Sequence, residues 1–382
     1  MTTVSMPPAE APAGAPPGVS PVVLDAGGEH PLAAAFAHEL ETLIWFGEHV
    51  DATIDLAVEL GRRAPAPAAG RTADLWSTLA TASRADVAGA RVIEPHLDAL
   101  AILSEARAHG VDVDAALHTM GAGRDSSWGV FAAEGPGTRL EASPAPEGGW
   151  MLSGTKPWCS LAARLTHALV TAWVSPGDRA LFAVPLRHAG VHAQRAPWFS
   201  RGLAQIVSAP VDFDEVPAAP IGEPGWYLER PGFAWGGIGV AAAWWGGALP
   251  LRDALAAAAA DDRADQFAAI ALGDADARLW AAQSALARAA AMIDAAADHS
   301  PLTRTQGRIL VERTRAVVAD AVERVLDLTD RALGPRPLTT NEAHARRVAD
   351  LRVYLRQHHG ERDLARLGMA LAAAPDGVGT RA

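Results

Sequence analysis

The chain of 382 residues is long enough for two or three domains with a sizeable core. Hydrophobic residues make up 49%, a share raised by alanine, and the formal net charge is −11. Acidic and basic residues interleave, so no basic surface is gathered for nucleic acid or an anionic membrane, and neither is expected as a partner. The one cysteine, Cys159, excludes an intramolecular disulfide and is compatible with the cytoplasm, the expected location.

Residues 1–28 are rich in alanine and proline and lack the basic start and apolar core of a secretory signal; they are expected as a disordered tail. An N-terminal helical domain is expected over 29–124. In "LAAAFAHELETLIWFGEHVDATIDLAVELGRR", Leu40, Leu43, Ile44, Val50, Ile54 and Val58 recur at threes and fours. "APAPAAGRTAD" reads as a loop, with Thr72 or Asp74 as a helix cap, and a second helical stretch runs from Leu75 to about Ala106. Near Gly129 the pattern changes. "GWMLSGTKPW", "HALVTAWV", "RALFAVPL", "GVHAQR" and "APVDFDEVP" are short, rich in β-branched and aromatic residues, and separated by Gly, Pro and Asp. They predict a small antiparallel β domain over 125–227. From 228 to 371 long alanine-rich helices with apolar stripes predict a four-helix bundle, followed by a tail at 372–382. The expected fold class is therefore α+β. No internal repeat is found, and no apolar run approaches the ~20 residues that cross a bilayer.

Three segments carry chemistry. In "GTKPWCS", Trp158 offers a flat π face, and Ser160, two residues on, points the same way if the segment is extended. "FAAEGPGT" presents backbone donors and a hydroxyl, or else is a Gly-Pro turn between two strands. "YLRQHHGERDLARLG" interrupts a good helix with two histidines and a glycine.

The order of "GVFAAEGPGTRLEA", "GWMLSGTKPWCSLA" and "PVDFDEVPAAPIGEPG" within a helix–sheet–helix chain resembles the acyl-CoA dehydrogenase family. The resemblance covers about 125–368; the part before it fits by helicity only. It implies FAD bound between the sheet and the C-terminal bundle. Trp158 would cover the isoalloxazine and Ser160 would contact its reactive edge; packing of Trp158 into a core is the plainer alternative. Phe131 and Ala133 would border the flavin pyrimidine through backbone groups, with Ala133 where the family keeps a threonine. Thr138 would stand in for the pyrophosphate-binding serine.

In that family an Arg-Asp pair precedes, by eight residues from its Asp, a glutamate that removes the α-proton of an acyl thioester while hydride leaves the β-carbon. Here the Asp is Asp350, and eight residues on stands His358, then His359 and Gly360. Leu351, Tyr354, Leu355 and His358 share a helical face by spacing, with Gly360 as a C-cap, so His358 rather than His359 is expected to face the flavin cavity. His358 as base and His358 as a cap on the helix end are both open readings, and Glu361 is the alternative carboxylate. The family's substrate-side arginine falls at Gly237. Its glycine-rich pyrophosphate segment for the neighbouring subunit's FAD becomes "LGPRPL", where Gly334 remains and Arg336 can meet phosphate. Its Arg-x-x-Phe survives as "RADQF" with one residue too many. Trp235 and the pair Trp244–Trp245 suggest bulky walls near the pocket.

The resemblance implies an FAD-dependent dehydrogenase of an acyl-thioester-like substrate, in a homodimer or homotetramer, passing electrons to an electron-transfer flavoprotein or to oxygen. An oxygen-using oxidase or monooxygenase on the same scaffold, and a catalytically degenerate partner subunit, are the alternatives.

Overall fold

The computed structural model describes residues 19–25, 27–195, 197–298 and 302–374, so most of both expected tails lies outside the described residues. Inside the expected N-terminal tail, Val22 and Leu24 are nonetheless buried. Their N–H groups donate to Thr81 Oγ1 at 2.9 Å and Ser77 Oγ at 3.1 Å. The packed chain therefore starts ahead of residue 29.

The N-terminal region forms α1 (Pro31–Leu40), α2 (Val50–Gly61), α3 (Thr72–Ala85), α4 (Val87–Ala108) and α5 (Val113–Thr119). Each of the two expected helical stretches is cut in two, and the cuts meet. Gly47, between α1 and α2, has φ +77°, and a Cβ there would stand 1.9 Å from Asp86 Oδ1. Only glycine fits that approach in that conformation. Asp86 is itself extended, and its carboxylate accepts the N–H of Gly89 at 2.8 Å, which ends α3 and caps α4. Asp74 caps a different helix from its own. Its carboxylate accepts from Leu32 and Ala33 at the start of α1, at 3.2 and 3.1 Å. Thr72 opens α3 and donates to Asp294 at 2.6 Å.

Seven strands follow: β1 (Trp128–Phe131), β2 (Leu140–Pro144), β3 (Trp150–Ser160), β4 (His167–Trp173), β5 (Arg179–Pro185), β6 (Val191–Ala193) and β7 (Ser208–Pro220). The expected strand segments all form, but the sheet is mixed rather than antiparallel. β1 runs parallel to β4, with Trp128 opposite His167, and β2 meets β4 in parallel at Glu141 and Trp173. The β2–β3 hairpin separates β1 from β4 in the chain, so the two can lie side by side in the same direction. The other pairings, β2–β3, β3–β7, β4–β5, β5–β7 and β6–β7, are antiparallel.

The C-terminal region contains α6 (Trp226–Glu229), α7 (Pro231–Ala259), α8 (Gln266–Asp298), α9 (Arg304–Leu333), α10 (Arg336–Thr340), α11 (Glu342–Tyr354) and α12 (Glu361–Ala372). The long helices α7, α8 and α9 pack on one another, α3 packs on α7, and α12 packs on α9. At Gly246 an added Cβ would lie 2.2 Å from the backbone oxygen of Ala80, so α7 and α3 touch main chain to main chain. The "HHG" segment forms a junction between two helices, α11 and α12, preceded by a 3₁₀ turn, Leu355–Gln357. One continuous hydrophobic core includes Phe36, Trp76, Phe182, Trp244 and Val325, drawn from all three regions. Among the described residues no helix is long and apolar enough to cross a membrane.

Candidate active site

A cleft of about 740 Å³ opens between α4, the start of α7, the first turns of α9 and the α11–α12 junction. Its walls are charged: five carboxylates and five arginines are among the residues that line it, with Tyr227, Phe233 and Trp235. Space for it comes from Gly236 and Gly237. A Cβ at Gly236 would lie 2.7 Å from Asp98 Oδ1, and one at Gly237 would lie 3.3 Å from Val311.

Glu94 and Asp98, one turn apart on α4, face this cleft. Glu94 Oε2 accepts from the Tyr354 hydroxyl at 3.3 Å and from Arg91 Nη1 at 3.4 Å. Burial, opposed by Arg91 and reinforced by Asp98, pushes the Glu94 carboxyl up to about 7. Burial also raises Asp98, with Arg230 pulling the other way. Arg315, from α9, donates to the carbonyls of Gly237 at 2.6 Å and Gln357 at 2.8 Å, and its guanidinium lies 4.7 Å from the Trp244 ring centroid. A guanidinium thus reaches Gly237, where the resembled family keeps an arginine, but from another helix.

The sheet domain connects to the cleft through Arg91. Its Nη2 donates to Ser160 Oγ at 3.4 Å, while Ser160 and Ser208 share a hydrogen bond at 2.7 Å. Trp158 sits at a break in the β3–β7 register between Lys156 and Cys159, with φ +58°. A bulky residue in the left-handed region is a strained outlier, of the kind that collects at functional sites. The bulge turns Trp158 outward, 61% exposed, between buried Pro157 and buried Cys159. An unstacked indole beside a serine hydroxyl is a face on which a flat ring can lie, so these residues fit a flavin. Lys156 anchors the bulge from beneath; it is 1% exposed and donates to Glu134 at 2.6 Å and Thr171 at 2.9 Å. Burial raises the Cys159 thiol to about 12, so it is protonated and inert.

The other expected cofactor-side residues do not line this cleft. The Phe131 side chain is buried in the core, so only its backbone is available. Ala133 is exposed, and Thr138 spends its hydroxyl on the carbonyl of Gly135 at 3.0 Å, holding a turn. Gly334 and Arg336 follow the C-terminal end of α9, whereas the cleft meets its first turns. At 1.5 Å per residue, about 40 Å separates Gly307 from Gly334, so these residues and the cleft do not meet within one chain. Arg336 is exposed, and its guanidinium has no partner among the described residues.

Of the two junction histidines, His359 rather than His358 lines this cleft. α11 ends at Tyr354, four residues before His358, and the 3₁₀ turn changes the helical phase. His358 turns inward, 11% exposed, with its ring 6.5 Å from that of Trp244. Burial lowers its pKa, and Nε2 has no hydrogen-bond partner. His359 is the histidine that lines the cleft. Gly360, at φ +56°, starts α12 rather than ending α11. Glu361 is exposed and does not line the cleft. The carboxylate at the junction is Asp363, 3% exposed, which accepts the N–H of His359 at 3.1 Å and pairs with Arg366 at 2.6 Å. Burial works against its charge, yet these partners hold its pKa below the usual value. Asp350 serves the β domain instead, accepting the N–H of Leu203. Of the expected aromatic walls only Trp235 lines the cleft; Trp244 and Trp245 are buried.

No protein-family model and no curated protein matches the sequence. Solved structures do match. KijD3, in complex with FMN and dTDP-3-amino-2,3,6-trideoxy-4-keto-3-methyl-D-glucose, superposes with a TM-score of 0.75 at 18% identity over 95% of this chain and 98% of that one. A steroid ACAD variant superposes at 0.64 with 21% identity over 80% and 82%. The chain has the acyl-CoA dehydrogenase fold. TdsC from Paenibacillus sp. A11-2, in complex with FMN and indole, shares this fold with a TM-score of 0.66 at 18% identity, over 88% of this chain and 98% of that one. TdsC is described as a dibenzothiophene monooxygenase.

Sequence reasoning missed Glu94, Asp98, Arg315 and Asp363. The signal for the first two was present: "EPHLD" sets two carboxylates four apart in a helix whose buried face is mostly apolar, His96 apart.

Proposed function

We propose that this protein is a flavin-dependent oxidoreductase that uses oxygen to oxidise a polar substrate, a monooxygenase on the acyl-CoA dehydrogenase fold. The observation that carries this reading is the charged cleft, joined to the Trp158–Ser160 bulge through Arg91. An aliphatic acyl chain needs apolar walls, because burying it against unpaired charges leaves those charges without water or partner. The dehydrogenase reading also needs a free carboxylate base at the "HHG" junction; Glu361 is exposed outside the cleft, and Asp363, which lines it, is tied to Arg366 and the His359 N–H.

In this reading Trp158 and Ser160 would hold a flavin nucleotide, which would supply two electrons, so that one oxygen atom enters the substrate and the other leaves as water with two protons. The protein's part is to bind and orient the substrate and to manage protons. Glu94, held near neutrality, suits proton transfer at physiological pH. Arg91 bridges Glu94 and Ser160, and Tyr354 fixes the Glu94 carboxyl. The flavin is FAD by the resemblance and FMN by the nature of the superposed structures, and chromatography of the released cofactor separates the two. A homo-oligomer is part of the proposal, supported by Phe267, Ile270 and Trp280 exposed along α8.

The test starts from purified protein reconstituted with FAD or FMN. Supplied with a flavin reductase, NADH and isotopically labelled oxygen, it should add one labelled atom to a substrate from a panel containing a dTDP-linked amino sugar and indole. Anaerobic bleaching by saturated acyl-CoAs would restore the dehydrogenase reading. Failure to bind either flavin would leave the degenerate-subunit reading.

A further inference from the structure

We infer that the inner end of the cleft is a subsite for a protonated amine, held between the carboxyl groups of Glu94 and Asp98, in a substrate whose anionic end meets Arg304 and Arg308 at the mouth. This rests on the cleft being the substrate site, as proposed above, and it names the class of substrate.

Both carboxyl groups stand open to a ligand's donors. The two bonds to Glu94 fall on Oε2, which leaves Oε1 without a donor. Asp98 receives no hydrogen bond from any described residue. The cation it senses, Arg230, is engaged by Glu105 at 2.6 Å. A largely buried carboxylate without donors is costly, and a ligand that brings several N–H donors and a positive charge relieves the cost in both groups at once. Gly236 keeps the Asp98 side of the subsite clear, since a methyl there would press on Oδ1. The groups facing Glu94 are Arg91 and Asp98 on its own helix, Tyr354 on α11 and Arg315 on α9. Those facing Asp98 are Glu94 and Glu105 on its own helix, Arg230 and the Tyr227 hydroxyl, which also senses Glu94. Neither flanking arginine hydrogen-bonds the pair: Arg315 donates to two carbonyls, and Arg230 donates to Glu105 through Nη1 while its buried Nε is without a partner.

A metal ion is the other cation that two carboxylates suggest. Among the described residues no three His, Cys, Asp or Glu side chains gather to hold one. At the mouth the charge reverses. Arg304 and Arg308 are one turn apart on α9 and both exposed. Arg308 has no partner among the described residues, and Arg304 meets only the exposed Glu229, at 3.2 Å. An acidic inner end and a basic mouth fit a molecule that carries an amine at one end and a phosphate or diphosphate at the other.

The experiment is calorimetric titration of the flavin-loaded protein with UDP-glucosamine and UDP-glucose, which differ by an amine in place of a hydroxyl. The amine probe should bind roughly 10-fold tighter or more, the scale of a charge-assisted hydrogen bond. Because a bound cation favours the ionised carboxyl, and Glu94 titrates near 7, binding at pH 7 should release up to about half a proton, read from buffers of different ionisation enthalpy. Asp98→Asn and Glu94→Gln should each erase most of the preference, and Glu94→Gln should abolish the proton release. If Asp98→Asn does not fold, Gly236→Ala, which crowds the same oxygen, should lower the preference in its place. Equal affinities, a preference that survives in the variants, or no binding of either probe would overturn the subsite. The readout does not depend on turnover: selective amine binding without oxygen transfer keeps the subsite and removes the monooxygenase reading, and the converse result does the opposite.

Discussion

Tyr354 on α11 donates its hydroxyl to Glu94 on α4, at 3.3 Å, across 260 residues of sequence. The bond places the helix that leads into "HHG" directly behind the carboxyl group of the cleft. Tyr354→Phe should therefore leave the fold intact, since the ring stays packed beside Trp244, while it frees the carboxyl. Turnover should fall about 3- to 30-fold with little change in KM, the scale of one positioning hydrogen bond. Steady-state kinetics would check it, and an unchanged kcat would mean that the hydroxyl only fills space.

Glu94 should also set a pH dependence of stability. Its folded pKa, about 7, lies above the usual 4.5, so the folded chain holds this proton more tightly than the unfolded one. The resulting stability is complete below about pH 4.5 and is lost as pH rises through 7. Glu94→Gln removes that loss. Its melting temperature relative to the parent should rise between pH 5 and 9, by the equivalent of up to about 3 kcal/mol at about 1.4 kcal/mol per pKa unit. A difference constant with pH would show that Glu94 is not held protonated.

Trp158→Ala should cost flavin. Losing an aromatic face that stacks on the ring removes about 1–3 kcal/mol, so occupancy at limiting flavin should fall roughly 10-fold or more. Trp158→Phe should retain part of it. The ratio of visible to protein absorbance after gel filtration reads this directly, and equal ratios would detach Trp158 from the cofactor.

The two histidines should behave as different kinds of residue. His358 packs beside Trp244 and is held neutral by burial, so His358→Ala should destabilise by about 1–3 kcal/mol and leave the pH profile of turnover unchanged. His359 is 59% exposed at the cleft, so His359→Ala should barely alter the melting temperature and should change substrate KM. The reverse pattern would return His358 to the role of a base.

Lys156 tests the scaffold beneath Trp158. Lys156→Met removes a buried ammonium from Glu134 and Thr171, and should destabilise by about 2–4 kcal/mol, partly offset because Glu134 reaches solvent and keeps Arg179 at 3.1 Å. Chemical denaturation would measure it. Flavin occupancy should fall with it, because the bulge that presents Trp158 rests on this side chain.

The sequence by itself determined what local periodicity and turn chemistry determine. Apolar residues at threes and fours marked the helices, short β-branched runs bounded by Gly and Pro marked the strands from Trp150 to Pro220, and "GTKPWCS" marked the segment of Trp158 and Ser160, although as extended strand; the bulge in it came from the pairing with β7. What depends on distant partners was decided by tertiary structure. The breaks at Gly47 and Asp86 lie against each other, so closely that a side chain at Gly47 would meet the Asp86 carboxylate, and no spacing rule contains that approach. The parallel pairing of β1 with β4 required the β2–β3 hairpin to stand aside. The phase of "HHG" was lost when a 3₁₀ turn replaced the last turn of α11, so His359 rather than His358 came to line the cleft. Glu94 gained its perturbed pKa only from burial among Arg91, Asp98, Tyr354 and Arg315, which arrive from three helices. A carboxylate's chemistry is fixed by the dielectric and the charges around it, and those are properties of the assembled core.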